Sequence, residues 1–164
     1  MIPTIKTILF PTDLGPQAHL VLAHAESLAT ATGARIVLLH VLDPTPAHAR
    51  SVIEEVLSAE QAERRRQSGI DLFRAELEQR IQVFLDQESS TSESGSLPLP
   101  EVRIVEGGSA AAILEHAREV GADLIVMGTQ GHSVWGEMLG SVAHKVLHRS
   151  KVPVMLVPFR SFLD

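Results

Sequence analysis

Apolar residues in this chain fall into short unbroken runs, separated by longer stretches in which they recur every three or four positions. Ile5 to Phe10 is the first run, and Pro11-Thr-Asp13 ends it. From about Gln17 to Thr32, the residues Leu20, Ala23, His24, Ser27 and Leu28 stand at helical spacing, and Gly33 supplies a stop. Arg35-Ile-Val-Leu-Leu-His-Val41 is a second run, closed by Asp43-Pro-Thr-Pro46. A long polar helical region from about Ala49 to Glu88 follows. In it Val52, Val56, Ile70, Phe73, Leu77, Ile81 and Phe84 form a core-facing stripe. Gly69 and the charged run Glu63-Arg-Arg-Arg66 predict a kink or a division into two helices.

Val102 to Val105 is a short third strand. Gly107-Gly108-Ser109 then turns the chain, with Ser109 as the N-cap of a helix from Ala110 to Val120 that Gly121 ends. Asp123 to Met127, Ser141 to Ser150 and Val152 to Val157 read as strand, helix and strand. Strands apolar on both faces, alternating with helices, predict βαβ units and an α/β fold: a five-stranded parallel sheet with helices on both faces. The Ser-rich stretch Glu88 to Ser96 and Leu97-Pro-Leu-Pro100 have too little apolar surface to order themselves. They predict a mobile connection, at about 88–100, inside one domain spanning 1–164.

Composition narrows the function. The 164 residues are 45% hydrophobic but only 4% aromatic, with no tyrosine, so Val, Ile, Leu and Ala must build the core. A formal charge of −6 without a basic stripe argues against nucleic acid or an anionic membrane as partner. The absence of cysteine excludes disulfides, thiolate chemistry and cysteine-based zinc sites. No signal-like N-terminus or membrane-length apolar segment is present, so a soluble, cytoplasmic protein is expected.

The most informative stretch is Leu124-Ile-Val-Met-Gly128-Thr-Gln-Gly131, followed by Gly140-Ser141. A buried strand that breaks at glycine and restarts as a helix leaves free N–H groups in the first helical turn, where a phosphate binds. The same glycines also suit a tight strand-to-helix turn with no ligand, and the spacing alone leaves both readings open.

Taken together, Ile8-Leu-Phe-Pro-Thr-Asp13, Leu38-Leu-His-Val41, Val105-Glu-Gly107, Ala122-Asp-Leu-Ile-Val-Met-Gly128 and Gly140-Ser-Val-Ala-His-Lys-Val146, leading to Val152-Pro-Val154, resemble the universal stress protein family over essentially the whole chain. The resemblance implies an open, Rossmann-like sheet of order 3-2-1-4-5, with ligands held at the switch point between strands one and four. Its ATP-binding branch carries Gly-x2-Gly-x9-Gly-Ser/Thr, and here Gly131 and Gly140 enclose His132 to Leu139, one residue short of that pattern.

Carried over by position, the resemblance implies Asp13 and the Val41 backbone at adenine, Gly128 near the ribose, and Gly131, Gly140, Ser141 and Val142 around the phosphates. Pro11, Thr12, Met127 and His132 complete the implied binding set. The expected ligand is ATP or AMP with Mg²⁺, for which Asp13 is one candidate carboxylate. The alternative role of Asp13 is to accept N–H bonds in its own turn.

The remaining candidates are weaker. His144 and His148 lie one helical turn apart, but no carboxylate completes a metal set, and cations are expected at a helix C-terminus. His40 reads as a packed or capped histidine. No Gly-x-Ser-x-Gly, Walker A or His-Glu-x-x-His motif occurs, which favours a binding protein over an enzyme. Pro153-Val-Met-Leu-Val-Pro158 suits a strand at the sheet's edge that needs a cover. The resemblance implies a homodimer through Val152–Val157; the tail Phe159 to Asp164 folding back is the other possibility. The expectation is a nucleotide-binding stress regulator acting on an unknown protein partner. A family member that acts only as an interaction module, and a slow ATPase or phosphotransferase, are the alternatives.

Overall fold

The computed structural model describes residues 1–42, 59–91, 98–129 and 139–158. The chain divides into two compact units, Met1–Asp43 with Ser94–Asp164, and Pro44–Glu93. In the first unit the strands are β1 (Thr7–Pro11), β2 (Arg35–Leu42), β3 (Glu101–Glu106), β4 (Leu124–Gly128) and β5 (Val154–Val157). They form one parallel sheet in the order β3-β2-β1-β4-β5, as expected. Its helices are α1 (Ala18–Thr32), α3 (Ser109–Glu119) and α4 (Ser141–Arg149), and the second unit contributes α2 (Ala59–Thr91).

Strand alternation sorts the core. Leu9, Val37, Leu39, Ile125 and Met127 cluster with Ala110, Ile113 and Ala117 of α3 and with Ala143 and Val146 of α4. Ile8, Phe10, Leu38 and Val126 are buried on the opposite face, because successive strand side chains point to opposite sides. Helix α1 lies against β1, β2, β4 and β5 and is absent from the α3–α4 cluster, so the sheet is covered on both faces. No described helix is long and apolar enough to cross a membrane.

Several local expectations need correction. Helix α1 is present as expected, and the face it buries is Ala18, Val21, Leu22, Ala25 and Ala29, while Ala23, His24 and Ser27 are exposed. Alanines let this helix approach the sheet closely, which outweighs placing its remaining leucines inward. Of the kink or division expected at Gly69, the division does not occur: helix α2 runs as one element through it, since a single interior glycine costs only about 1 kcal/mol. It also continues to Thr91, so the first part of the Ser-rich stretch is helical. There the Ser89 and Ser90 hydroxyls donate to the Leu85 and Asp86 carbonyls instead of opening the helix. Of the predicted stripe, Leu77 and Ile81 are buried and Phe84 half-buried. Val52 and Val56 lie outside the described residues.

Ser109 is the first residue of α3 rather than its cap; Gly108 holds the N-cap position with no side-chain bond. β5 starts at Val154 because Ser150 folds the preceding residues into a turn. The Ser150 hydroxyl donates to the Val152 carbonyl (2.6 Å) and accepts the Val152 N–H (3.0 Å).

The amino ends of β1 and β4 are fastened by Asp123, whose Oδ2 accepts the backbone N–H groups of Lys6 (2.8 Å) and Thr7 (3.0 Å). These two bonds, Lys6 first, hold the Asp123 carboxyl below the usual carboxylate range. A carboxyl with a lowered folded-state pKa adds stability above its unfolded value of about 3.9 and loses it as pH falls through the folded value. Asp123→Ala is therefore expected to lower the unfolding midpoint at pH 7, with the deficit shrinking below about pH 4. Thermal denaturation of both proteins across that range checks this.

Candidate functional site

Both ladders that flank β1 stop at its carboxyl end, each for an identifiable reason. On the β4 side the last paired residues are Leu9 and Ile125, although β1 continues to Pro11 and β4 to Gly128. Thr7 and Leu9 direct their peptide groups at β4, so the next rung needs an N–H from residue 11. Proline has none, and the two strands part there. On the β2 side the Thr12 N–H donates to the Leu39 carbonyl (2.9 Å). The next rung would join the Val41 N–H to the Thr12 carbonyl. Instead, His40 Nδ1 lies 2.8 Å from that carbonyl. The peptide edge of Val41 thus faces the side from which β1 has turned away.

The chain leaves β1 through a tightly specified turn. The Thr12 Oγ1 accepts the Leu14 N–H (3.0 Å), and Asp13 Oδ1 accepts the Gly15 N–H (2.9 Å). Leu14 sits at φ 58°, a left-handed conformation that costs a branched side chain about 1–2 kcal/mol. A Cβ on Gly15 would stand 2.9 Å from Asp13 Oδ1, so a side chain there would push the Asp13 carboxylate out of this bond. This is the local role expected of Asp13 as an alternative, and its side chain remains exposed at the sheet's carboxyl end.

Across the crevice, the Thr129 N–H donates to the Val157 carbonyl (3.1 Å), and the Gly140 N–H donates to the Thr129 carbonyl (2.7 Å). The second bond ties the start of α4 to the end of β4. The first helical bond of α4 runs from the His144 N–H to the Gly140 carbonyl (2.8 Å), and no side chain caps the helix. The N–H groups of Ser141, Val142 and Ala143 precede that bond and give the helix start its partial positive charge. Gly140 adopts φ −59° and ψ 150°, which any residue can take, so its lack of a side chain is not demanded by the backbone.

The sequence-derived residues divide accordingly. Pro11 and Met127 are buried beneath the carboxyl end of the sheet; Thr12, Val41, Gly128, Gly140 and Val142 are half-buried; Asp13 and Ser141 are exposed. Gly131 and His132 lie outside the described residues. Leu14, Gly15 and His40 belong to the same end of the sheet without having been assigned to a site. The Asp-Leu-Gly spacing was a legible turn signal for Gly15. Nothing in the sequence places an imidazole on the Thr12 carbonyl. His144 and His148 stack at 6.3 Å between ring centroids on the exposed side of α4. Among the described residues no three potential ligands come together around a metal site.

Known proteins share this fold. A universal stress protein from Thermus aquaticus is 33% identical over 153 residues, covering 93% of this chain and 98% of its own length. Universal stress protein MJ0577 from Methanocaldococcus jannaschii is 29% identical over 160 residues, covering 93% of this chain and 94% of that protein. Its solved structure superposes with a TM-score of 0.73, covering 97% of this chain and 99% of the other, at 25% identity. A universal stress protein solved in complex with cAMP has the same fold, with a TM-score of 0.56 and 24% identity, covering 95% and 98% of the two chains. The sequence profile of the Universal stress protein family matches residues 4–158. With the sheet order, the strand-to-helix step and that match in agreement, this chain belongs to the universal stress protein family.

Proposed function

We propose that this chain binds an adenine nucleotide, ATP or AMP, at the carboxyl ends of β1 and β4, and that it acts as a homodimeric regulator in the cytoplasmic stress response. The observation that carries the reading is the joining of the uncapped α4 N-terminus to the end of β4 through the Gly140–Thr129 bond, across from the open peptide edge of Val41. Backbone N–H groups at a helix start suit phosphate oxygens. A strand's peptide edge suits the donor and acceptor edge of adenine. Asp13 lies on the β1 side, where an exposed carboxylate suits a cation carried with the phosphates, so Mg²⁺ enters with the nucleotide. Gly128, Gly131, Ser141 and Val142, with His132 and the flanking Pro11, Thr12 and Met127, complete the site. A relative held with cAMP supports an adenine nucleotide as a ligand class for this fold.

The dimer in this reading forms through the β5 edge. The opposite edge strand, β3, carries Glu101, Arg103 and Glu106, and Glu101 pairs with Arg35 (2.8 Å) and Arg103 (2.9 Å). β5 offers only Val154, Met155, Leu156 and Val157. Charged edges discourage strand addition and apolar ones invite it. Nucleotide binding regulates by having unequal affinity for two states that engage a protein partner differently.

Calorimetric titration with ATP, AMP and GTP in the presence of Mg²⁺ tests the ligand. ATP is expected to bind with a Kd of about 1–10 μM, corresponding to about 7–8 kcal/mol, and GTP at least about tenfold more weakly. Absence of binding by every nucleotide would overturn the reading and leave a protein-interaction module. Phosphate release from ATP that is abolished by Asp13→Asn or Ser141→Ala would make the chain a slow ATPase instead.

A further inference from the structure

We infer that His40 is a positioning residue: its imidazole occupies the Thr12 carbonyl at the point where the β1–β2 ladder would take its next rung, and so fixes both the Asp13 turn and the open edge of Val41. The consequence for ligand binding rests on the nucleotide reading; the structural consequence does not.

A carbonyl oxygen only accepts, so the 2.8 Å contact requires the proton on His40 Nδ1 and sets the tautomer of the ring. His40 is half-buried near the end of β2, paired in register with Ile104 of β3. The Leu42 carbonyl accepts the Gly107 N–H, so residues 40 and 42 direct their peptide groups toward β3 while 39 and 41 direct theirs toward β1. The His40 side chain therefore supplies toward β1 a donor that its own backbone cannot. Thr12 is held at three points: its N–H by Leu39, its carbonyl by His40 and its hydroxyl by Leu14. The left-handed Leu14 and the Gly15–Asp13 bond follow directly after this anchor. Removing the imidazole leaves the Thr12 carbonyl to the Val41 N–H, the ladder lengthens by one rung, and the edge that would read a base is consumed.

The test compares His40→Ala with His40→Asn, whose side-chain amide places an N–H donor at the same distance from the backbone as Nδ1. Nitrogen-15 NMR of the wild-type imidazole is expected to show the Nδ1-protonated form at neutral pH. In His40→Ala, amide exchange at Leu14 and Gly15 is expected to rise about three- to tenfold, the scale of one lost hydrogen bond, while exchange at Val41 slows. ATP affinity should fall about tenfold in the same variant, and His40→Asn should restore both the exchange pattern and the affinity to within about threefold of wild type. A ring without a proton on Nδ1, or unchanged exchange at Leu14, Gly15 and Val41 in His40→Ala, overturns the inference. So does failure of His40→Asn to restore the exchange pattern while His40→Ala has changed it. If the exchange changes occur as described but the wild type binds no nucleotide, the positioning role stands and the nucleotide reading alone falls.

Discussion

Leu156→Pro is expected to convert the proposed dimer of twice 17.8 kDa to a monomer, while Leu156→Ala remains dimeric. The reason lies in the direction of the β5 peptide groups. The Ile125 N–H bonds to the Pro153 carbonyl and the Thr129 N–H to the Val157 carbonyl, so residues 153, 155 and 157 face β4. Val154 and Leu156 then present their N–H and carbonyl groups at the open edge. Proline at 156 deletes one of those donors without touching the ladder to β4. It also loses side-chain packing, because Leu156 rests against the α3–α4 cluster. Alanine loses similar packing while keeping the N–H, and so separates the two effects. Light scattering on the eluting protein, at about ten times the wild-type dissociation constant, reads the outcome; two variants with the same mass would show that the pairing does not run through this edge.

The second large effect is expected at the start of α4. Gly140→Val should weaken ATP binding by at least about a hundredfold, equivalent to about 2.7 kcal/mol, with little change in the unfolding midpoint. Backbone strain would not explain such a loss, since the φ and ψ of Gly140 suit a β-branched residue. The bonds made by Gly140 use only its N–H to Thr129 and its carbonyl from His144, and valine retains both groups. What valine adds is bulk where phosphate oxygens would approach the N–H groups of Ser141 and Val142. Equal ATP affinity in the two proteins would move the phosphates away from the helix start.

How much could be read from the sequence depended on the range of the interaction involved. Unbroken runs such as Ile36 to Leu39 have no polar face to spend on solvent, so they identified central parallel strands and, with the alternating helices, the architecture. Positions set by short-range chemistry were also legible, as with Gly33, which closes α1 at φ 73°. Choices decided by tertiary packing were not. The spacing in α1 identified a helix but not its buried face, which Ala18, Ala25 and Ala29 form with Val21 and Leu22. Ser109 was a sound cap by residue type, yet the turn at Gly107, with φ 144°, begins the helix one residue earlier.

The same division runs through the site. The glycines and Asp13 announced themselves, and the sheet order brought the ends of β1 and β4 side by side. The event that opens the crevice is the loss of two rungs. Pro11 removes one by having no N–H, a local property; His40 removes the other by reaching a carbonyl 28 positions earlier in the chain. The first could have been argued from sequence once the register was known. The second depends on where β2 ends relative to β1, which the residues do not reveal without the pairing.

The most direct test of the central claim is a titration of the ¹⁵N-labelled protein with Mg²⁺-ATP, following the backbone amide resonances. Binding at the proposed site predicts progressive shifts at Asp13, Val41, Gly128, Gly140, Ser141 and Val142, with the amides of α3 and the amino ends of the strands unmoved. Shifts confined to other surfaces, or a spectrum unchanged at millimolar ATP, would contradict it.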